Sequence, residues 1–313
     1  MGVDSGLGTF RGINAASWQP LKAMGMEFPR MSTPRWFRND PQLAWAFWTW
    51  RFQAYTAVAP HAGYDMLASW GQQVPRGFFS VTSNIDGHWE RTIGPDRVWE
   101  CHGALTRLQA LDSSNATIWP ARADDFGRIE MPEWDLRAGE SVETRSSLKE
   151  GTCWQEGFVV GADGCSILER KTGEECSVFG VRRQGGPDLM RILPSSVIPT
   201  GPGGAAARPN VMMFDDGGVN TAVMDAQEAR FTSWLNSLSP ASSRLVIIEI
   251  GAGTAVYTIR ALTEETLHRF ACAKLIRINL EQPGAPDDCE DRCISLALGA
   301  LDGLSRINRR LNH

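Results

Sequence analysis

The stretch "RLVIIEIGAGTAVYTIRALTEETLHRFACAKLIRINL", residues 244–280, contains the unit that decides the fold. Two short, nearly all-apolar runs, 244–250 and 274–280, are separated by a glycine turn and a helical stretch. Apolar strands that alternate with helices are typical of a parallel sheet covered on both faces. The sequence therefore predicts an α/β fold with a doubly wound parallel sheet.

The same alternation extends to other parts of the chain. Further predicted strands lie at 78–82, 97–101, 209–214 and 293–299. Predicted helices lie at 41–58, 62–72, 225–238 and 263–273. Pro60 separates the first two helices, because proline cannot continue a helix.

Residues 105–207 break this alternation. They are rich in Gly, Ser and Thr, and "GPGGAAARP" near their end is typical of a linker. Ala-Asp-Gly and Lys-Thr-Gly, within 157–183, are hairpin signals between short apolar runs. We predict a small irregular lobe at 105–207, with an extra insertion at about 140–196, inserted into a domain formed by 1–104 and 208–313.

Composition limits the function classes. The formal charge of −5, with Lys and Arg scattered along the chain, gives no reason to expect nucleic acid or an anionic membrane as a partner. No window approaches 18 uninterrupted apolar residues, and the start lacks a secretory signal pattern. Seven cysteines do not suggest a disulfide framework, so we expect a reduced, cytoplasmic protein.

Trp45, Trp48 and Trp50 occur together in "PQLAWAFWTWRFQAYTAV", residues 41–58. Their spacing at three and four residues among other apolar residues predicts a helix. Such a set could stack on nucleic-acid bases. A surface that stacks on bases would carry several basic residues between the aromatic ones, and this stretch does not. Core packing is therefore the better interpretation.

Two predicted strands end in polar clusters, "TSNIDGH" at 82–88 and "ECHG" at 100–103. Asn, Asp and His are costly to bury without partners. One explanation is turn formation, which Asn-Ile-Asp-Gly favours. The other is a ligand site, since ligands of α/β proteins bind at the carboxyl ends of parallel strands.

Seven segments together carry a family resemblance: "GVDSGLGTFRG" (2–12), "APHAGY" (59–64), "TSNIDGHW" (82–89), "ECHGALTRLQ" (100–109), "ARPNVMMF" (207–214), "EIGAGTAV" (249–256) and "LIRINLE" (275–281). In this order they resemble the sirtuins, the NAD-dependent protein deacylases of the Sir2 family, and particularly a bacterial-type branch. The resemblance implies a Rossmann-like domain that holds NAD, a smaller lobe, and an acyl-lysine peptide as substrate.

The resemblance assigns roles to the polar clusters. Asn84 and Asp86 match the pair that surrounds the nicotinamide ribose and carboxamide, and His102 matches the general base. Ser83 stands where most sirtuins carry Gln. The chemistry agrees, because an imidazole titrates near neutrality and can take a proton from a ribose hydroxyl. The simpler interpretation of His102 is a hydrogen-bonded loop histidine.

The other two upstream histidines have structural interpretations. We expect His88 to be solvated, since the family places a variable residue there. His61 follows Pro60 and is predicted to begin a helix.

The resemblance also implies the cofactor-binding residues. Gly251, Gly253 and Thr254 follow a strand, where a glycine-rich turn lets backbone N–H groups approach a diphosphate. A tight turn without a ligand is the alternative. Asn279 matches the residue that binds the adenosine ribose.

Four more residues match ligand contacts of the family. Phe10 and Arg11 match the loop that closes over NAD, and Arg can pair with phosphate or ribose oxygens. Val211 and Phe214 match residues that flank the acyl-lysine, where a peptide adds as a strand.

The sequence departs from the family at the zinc ligands. Relatives hold a structural zinc with two cysteine pairs, whose places here hold Ala110, Ser114, Thr200 and Gly203. None of these side chains can replace a thiolate. Cys153, Cys165 and Cys176 form no Cys-x-x-Cys pair, although a rebuilt three-cysteine site is conceivable. We therefore expect zinc to be absent from the lobe.

The start departs as well. Relatives precede "DSGLPDFRG" with a strand and a Gly-Ala-Gly loop that binds the diphosphate, whereas this chain starts at Met1-Gly2-Val3. We expect this truncated start to weaken NAD binding and turnover. The leading hypothesis is an NAD-dependent protein-lysine deacylase. The alternatives are an NAD glycohydrolase or ADP-ribosyltransferase, and a degenerate NAD- or peptide-binding module.

Overall fold

The structure is a computed structural model that describes residues 1–7, 18–112, 117–147 and 152–312. The chain divides into two compact units. The first comprises the described parts of Met1–Leu7, Val58–Ala104 and Thr221–His313, and the second those of Gly8–Ala57 and Leu105–Asn220. The predicted domain boundaries after residues 104 and 207 stay a prediction, because these units are defined by packing alone.

Helices and strands of the described residues are numbered here in chain order. The helices are α1 (Gln19–Ala23), α2 (Phe28–Met31), α3 (Trp36–Asn39), α4 (Pro41–Thr56), α5 (Ala62–Gln73), α6 (His88–Ile93), α7 (Ala123–Gly127), α8 (Ala222–Asn236), α9 (Thr258–Arg269) and α10 (Ala300–Leu311). The strands are β1 (Ser80–Thr82), β2 (Val98–Glu100), β3 (Gly103–Ala110), β4 (Ile118–Pro120), β5 (Ser141–Arg145), β6 (Gln155–Val160), β7 (Ile167–Glu169), β8 (Glu175–Cys176), β9 (Gly180–Arg182), β10 (Ala207–Val211), β11 (Val246–Ile250), β12 (Lys274–Ile278) and β13 (Cys293–Leu296). Each predicted helix and strand overlaps an observed element of the same type.

Parallel strands characterise the first unit. Strands β1 and β2 pair in parallel, and β11, β12 and β13 form a second parallel sheet in that order. Helices α8 and α9 belong to the same unit, as expected for strands that are joined through helices. The predicted α/β class with parallel strands is confirmed.

Helices α8 and α9 form the core of this unit with strand β12. Phe231 and Leu235 of α8, Leu267 of α9 and Leu275 of β12 belong to one buried cluster with Phe270. Burying each such side chain contributes about 1.5–3 kcal/mol. This core fixes the strands whose carboxyl ends carry the candidate site residues.

The second unit contains two further sheets. Strands β10, β3 and β4 form one, so the segment predicted at 209–214 lies beside β3 and outside the two parallel sheets of the first unit. Strands β5 to β9 form an antiparallel sheet in the order β8-β7-β6-β5-β9. The two predicted hairpins join β6 to β7 and β7 to β8, so this part of the lobe is more regular than the sequence indicated.

The tryptophan-rich helix α4 is a core element of the second unit. Asp40 accepts a hydrogen bond from the Leu43 N–H at 3.1 Å, and Pro41 occupies the first helical position, where its missing N–H costs nothing. Trp45 and Trp48 are buried, and Trp45 meets the ring of Phe126 edge-on at 5.9 Å. Core packing of these rings is therefore confirmed. Among the described helices, none has the length and apolar composition that crossing a membrane requires.

Candidate functional site

The carboxyl ends of β1 and β2 bring the first polar cluster together. The two strands pair with Thr82 opposite Glu100, and the Cys101 N–H extends the ladder to the Thr82 carbonyl at 2.9 Å. His102 and Ser83 are the next residues on each strand, and His102 is hydrogen-bonded to the Ser83 backbone. The loops "TSNIDGH" and "ECHG" therefore meet at one strand edge, as predicted for a ligand site.

His102 is half-buried at this edge. Burial lowers its pKa, because removing an imidazolium from water is unfavourable, and the hydrogen bond to Ser83 acts in the opposite direction. The imidazole is consequently neutral at pH 7, the state in which it can accept a proton.

Asn84 and Asp86 lie in the turn between β1 and α6. The Asn84 N–H donates to Thr82 Oγ1 at 3.1 Å, and Asp86 Oδ1 accepts from the His88 N–H at 2.8 Å. Gly87 follows with φ of 69°, a left-handed conformation that glycine adopts without strain. Asp86 is only 8% exposed. Turn formation and a ligand site are therefore compatible, since the turn uses backbone groups and one carboxylate oxygen.

Two buried aromatic side chains lie beneath this turn, and one of them corrects the sequence interpretation. His88 was expected to be solvated, but it is fully buried, and its ring lies 5.6 Å from the ring of Tyr64. The reason is the Gly87 turn, which starts α6 at His88 and points the ring inward. Burial raises the pKa of the Tyr64 hydroxyl, and the charge of Asp86 adds to the effect.

His61 confirms its predicted role at a helix start. Its Nδ1 accepts the Gly63 N–H at 2.9 Å and so caps α5. Sequence reasoning did not single out Tyr64, although "APHAGY" places it one turn into the same helix.

The carboxyl ends of β11 and β12 form the second candidate region. Gly251 has φ of 67°, and its N–H donates to the Ile278 carbonyl at 2.9 Å. Asn279 Nδ2 donates to the Ala252 carbonyl at 2.9 Å. The predicted glycine turn and Asn279 are therefore in direct contact.

Gln282 is a residue of this region that sequence reasoning missed. Its Oε1 accepts the Thr254 N–H at 3.0 Å, and its Nε2 donates to Thr254 Oγ1 at 3.2 Å. Asn279 Oδ1 accepts the N–H groups of Glu281 and Gln282, each at 3.0 Å. The side chains of Asn279 and Gln282 thus shape the two loops, and no local sequence signal marks Gln282.

Buried Glu and Arg side chains of β11, β12 and α9 pack beside the second candidate region. Glu249 and Arg277 are partners in the β11–β12 register, and Arg277 Nε lies 2.6 Å from Glu249 Oε1. Arg277 Nη2 also lies 2.9 Å from Glu264 Oε1. Arg260 donates to the carbonyls of Ala252 at 3.1 Å and Gln282 at 2.6 Å. These guanidinium groups are committed to protein partners, as are the N–H groups of Gly251 and Thr254.

The remaining predicted ligand contacts are placed as follows. Phe10 and Arg11 lie outside the described residues. In the second unit, Val211 is buried at the end of β10, and its carbonyl accepts from Arg208 Nη2 at 2.8 Å. Phe214 is 36% exposed, and its N–H donates to the Ser32 carbonyl at 3.0 Å. Arg208 is fixed in turn by a buried ion pair with Asp216.

The positions that correspond to zinc ligands are also in the second unit. Ala110 is buried in β3, Thr200 forms an isolated bridge with Ala206, Gly203 lies in a short 3-10 turn, and Ser114 falls outside the described residues. Among the described residues, Cys153, Cys165 and Cys176 belong to no cluster of three metal-binding side chains. Absence of zinc from the lobe stays a prediction.

Fold and geometry define an α/β protein whose polar residues collect at the carboxyl ends of parallel strands. The model of the Sir2 family matches residues 1–226, and the chain belongs to this family.

Curated relatives are similar over part of their length. An NAD-dependent protein deacylase of Deinococcus radiodurans is 31% identical over 127 residues, which are 39% of this chain and 48% of the relative. One of Corynebacterium glutamicum is 28% identical over 155 residues, 49% of this chain and 56% of the relative. The matched part spans about half the length of these relatives.

Solved structures share the fold. A Sir2 homologue in complex with NAD superposes with a TM-score of 0.54 at 17% identity, covering 99% of this chain and 85% of that one. A mutant Sir2 homologue in complex with ADP-ribose gives 0.50 at 15% identity, covering 99% and 87%. The Sir2 fold is thereby established for this chain.

Proposed function

We propose that this chain is an NAD-dependent protein-lysine deacylase, which transfers an acyl group from lysine to ADP-ribose and releases nicotinamide. The observation that carries the proposal is the half-buried His102, whose lowered pKa keeps it neutral beside Ser83 at the β1–β2 edge. A neutral imidazole in a polar strand-end cluster is suited to general-base catalysis. The names of the Deinococcus and Corynebacterium relatives support the same activity.

In this proposal His102 would accept the proton of the ribose hydroxyl that takes the acyl group, while the nicotinamide–ribose and lysine–acyl bonds break and water completes release of the free lysine amine. NAD supplies the ribose that receives the acyl group. Asn84 and Asp86 surround the nicotinamide ribose and carboxamide, and Ser83 stands next to them. The described hydrogen bond of the Asp86 side chain uses Oδ1, so Oδ2 is left to accept from a ligand amide. Because Asp86 is buried, water competes poorly for that contact.

The second strand edge would hold the rest of the cofactor. The N–H groups of Gly251 and Thr254 are bonded to Ile278 and Gln282, so the Gly253 N–H and the Thr254 hydroxyl would be the donors of this turn to a diphosphate. Asn279 Oδ1 already accepts from Glu281 and Gln282, so Asn279 would contact the adenosine ribose through the second N–H of Nδ2. Arg11 and Phe10 would complete the site from the closing loop.

An acyl-lysine protein or peptide is the proposed substrate. Val211 and Phe214 would flank the acyl-lysine, and Phe214 is partly exposed. The buried Arg208–Asp216 ion pair supports this proposal, because it fixes the segment that carries both residues. We further propose that the lobe is ordered without zinc, through the antiparallel sheet β5 to β9, and that the protein works in the cytoplasm.

The test is incubation with NAD and an acetyl-lysine peptide, following nicotinamide release and the peptide mass. The same peptide without the acetyl group is the matched control. Nicotinamide release that requires the acetyl group, with loss of that group from the peptide, supports the deacylase. Release without any peptide would instead assign an NAD glycohydrolase, and NAD binding without release would assign a binding module.

A further inference from the structure

We propose that His268, Asp288 and Cys289 form a zinc-binding site that ties the end of α9 to the loop before β13. One possible ligand atom from each residue lies within 4.8 Å of the other two. This cluster belongs to the first unit, whereas the cysteine positions of the family's zinc correspond to residues of the second. The proposal does not depend on deacylase activity.

The orientation of the His268 ring favours a metal. Nδ1 lies 2.6 Å from the Glu264 carbonyl, to which it donates its proton. Nε2 therefore points toward the other two residues, 2.7 Å from Asp288 Oδ2 and 3.7 Å from Cys289 Sγ. Histidines that bind metals almost always hold their second ring nitrogen in this way, by a hydrogen bond to a carbonyl or carboxylate.

The distances are close to those of a tetrahedral zinc site. Ligand bonds of about 2.0–2.3 Å place a nitrogen and a sulfur about 3.6 Å apart, and a nitrogen and an oxygen about 3.4 Å apart. The observed Nε2–Sγ distance of 3.7 Å fits directly. The Nε2–Oδ2 distance of 2.7 Å must open by several tenths of an ångström, which the exposed Asp288 side chain permits.

The three donors also select the kind of metal. Thiolate, imidazole and carboxylate together suit zinc, and three protein ligands leave a fourth position for water. His268 and Asp288 are exposed and give an ion access from solvent, while Cys289 is buried below them. Without metal, a proton lies between His268 Nε2 and Asp288, where zinc would bind. Zinc binding would therefore release this proton.

Neighbouring charges are mixed but net negative. Arg292 Nη2 donates to Cys289 Sγ at 2.9 Å, which holds the sulfur in place beside His268. The same guanidinium also caps α9 through the carbonyls of Leu267 and Phe270, at 2.8 and 3.1 Å. Acidic side chains outnumber it in the segment "DDCEDRC", residues 287–293.

The test is a titration of the full chain with Co²⁺ under a non-thiol reductant, followed by competition with Zn²⁺. A thiolate-bound cobalt gives a charge-transfer band that a purely carboxylate site does not. We expect one equivalent of Co²⁺ to produce this band and Zn²⁺ to remove it. His268→Gln and Asp288→Asn change exposed side chains and should each weaken binding at least about tenfold. Cys289→Ser should abolish the band.

Cys272→Ser is the matched control, because Cys272 is an exposed cysteine whose Sγ contacts the Ala241 carbonyl instead. It should leave cobalt affinity and the band unchanged. Absence of the band in the wild-type chain would overturn the proposal. So would a band that survives in the well-folded His268→Gln and Asp288→Asn variants, or one that disappears on Cys165→Ser.

Discussion

The two strand edges of the first unit hold polar residues for different purposes. At the β1–β2 edge, the turn uses backbone groups and one oxygen of Asp86, and the imidazole of His102 is neutral and half-buried. At the β11–β12 edge, the side chain of Asn279 makes three internal hydrogen bonds, and that of Gln282 makes two. The first edge has side chains available for chemistry, whereas the second is organised to shape its backbone.

In the proposed function this difference would separate catalysis from cofactor binding. A reacting group needs a tuned pKa and an available lone pair, and the lowered pKa of His102 suits it to that role. A diphosphate needs backbone N–H groups held at a fixed spacing, which Asn279 and Gln282 can supply indirectly. Changes at the first edge should therefore alter kcat, and changes at the second should alter affinity.

The largest effect is expected from His102→Asn. Loss of a general base typically lowers the rate by about 10²–10⁴-fold, so peptide deacylation should fall by that amount. Binding of NAD, measured by calorimetry, should change little. The control is His268→Asn, which removes an exposed imidazole at the end of α9 and should keep full activity. Near-normal turnover by His102→Asn would remove His102 from catalysis.

The pH profile of the wild type sharpens the same point. Burial lowers the pKa of His102, so the neutral, active form persists below the ordinary value of about 6.5. The acid limb of kcat/KM, which reports the free enzyme, should therefore have its midpoint below about 6.5. An acid limb centred above the ordinary histidine value would contradict the neutral base.

Asp86→Asn should have the next largest effect. The amide oxygen can still accept the His88 N–H, so the turn should fold, but the charge facing a ligand amide is lost. A hydrogen bond to a charged group contributes about 1.5–3 kcal/mol, which corresponds to about a ten- to hundredfold lower rate of nicotinamide release. The dissociation constant of NAD should change less. Equal losses in rate and affinity would show that Asp86 is structural.

Gln282→Ala tests the second edge. It removes two side-chain hydrogen bonds to Thr254, each contributing about 0.5–1.5 kcal/mol, although exposure of the loop reduces their value. NAD should bind up to about tenfold more weakly, with kcat at saturation unchanged. Gln73→Ala is the control, because exposed Gln73 bonds to Ser69 near the end of α5 and to no described residue outside that helix. A fall in kcat without a change in affinity would reverse the assignment of the two edges.

The smallest effects are expected from alanine substitutions of the two glycines in the β11 turn, Gly251 and Gly253. Gly251→Ala forces a Cβ into a left-handed conformation and should cost about 1 kcal/mol of folding free energy. At Gly253 a Cβ would meet only Gln282 Oε1, at an ordinary 3.7 Å, so thermal stability should not change. Weaker NAD binding by Gly253→Ala, at unchanged melting temperature, would show that a ligand approaches its backbone. Unchanged affinity would show that this glycine serves the turn alone.

Local pattern predicted the elements well, because strands and helices here follow apolar runs and their breaks. The runs at 78–82, 97–101 and 244–250 became β1, β2 and β11, and Ala-Asp-Gly and Lys-Thr-Gly became hairpin turns. The apolar runs also predicted strands covered by helices on both faces, and here the prediction went too far. Val246 is 60% exposed and Ile294 56%, although both belong to apolar strands.

The site was predictable only where residues are adjacent to strand ends. His102 and Ser83 meet because their strands pair in register, which the apolar runs imply. Burial of His88 against Tyr64 depends on a tertiary contact between α5 and α6, so no spacing signals it. Gln282 bonds to Thr254, 28 residues away, and a glutamine in a polar loop gives no indication of such a partner.

The Glu249–Arg277 pair has a consequence for how the sheet assembles. The two residues are opposite each other across β11 and β12, and both are buried. A shift by one residue would turn Arg277 to the other face of the sheet, and a shift by two would set it opposite Ile247 or Gly251. Either error buries a charge without its partner, at about 3–5 kcal/mol. The pair thus favours the observed register of β11 and β12 over these misaligned pairings.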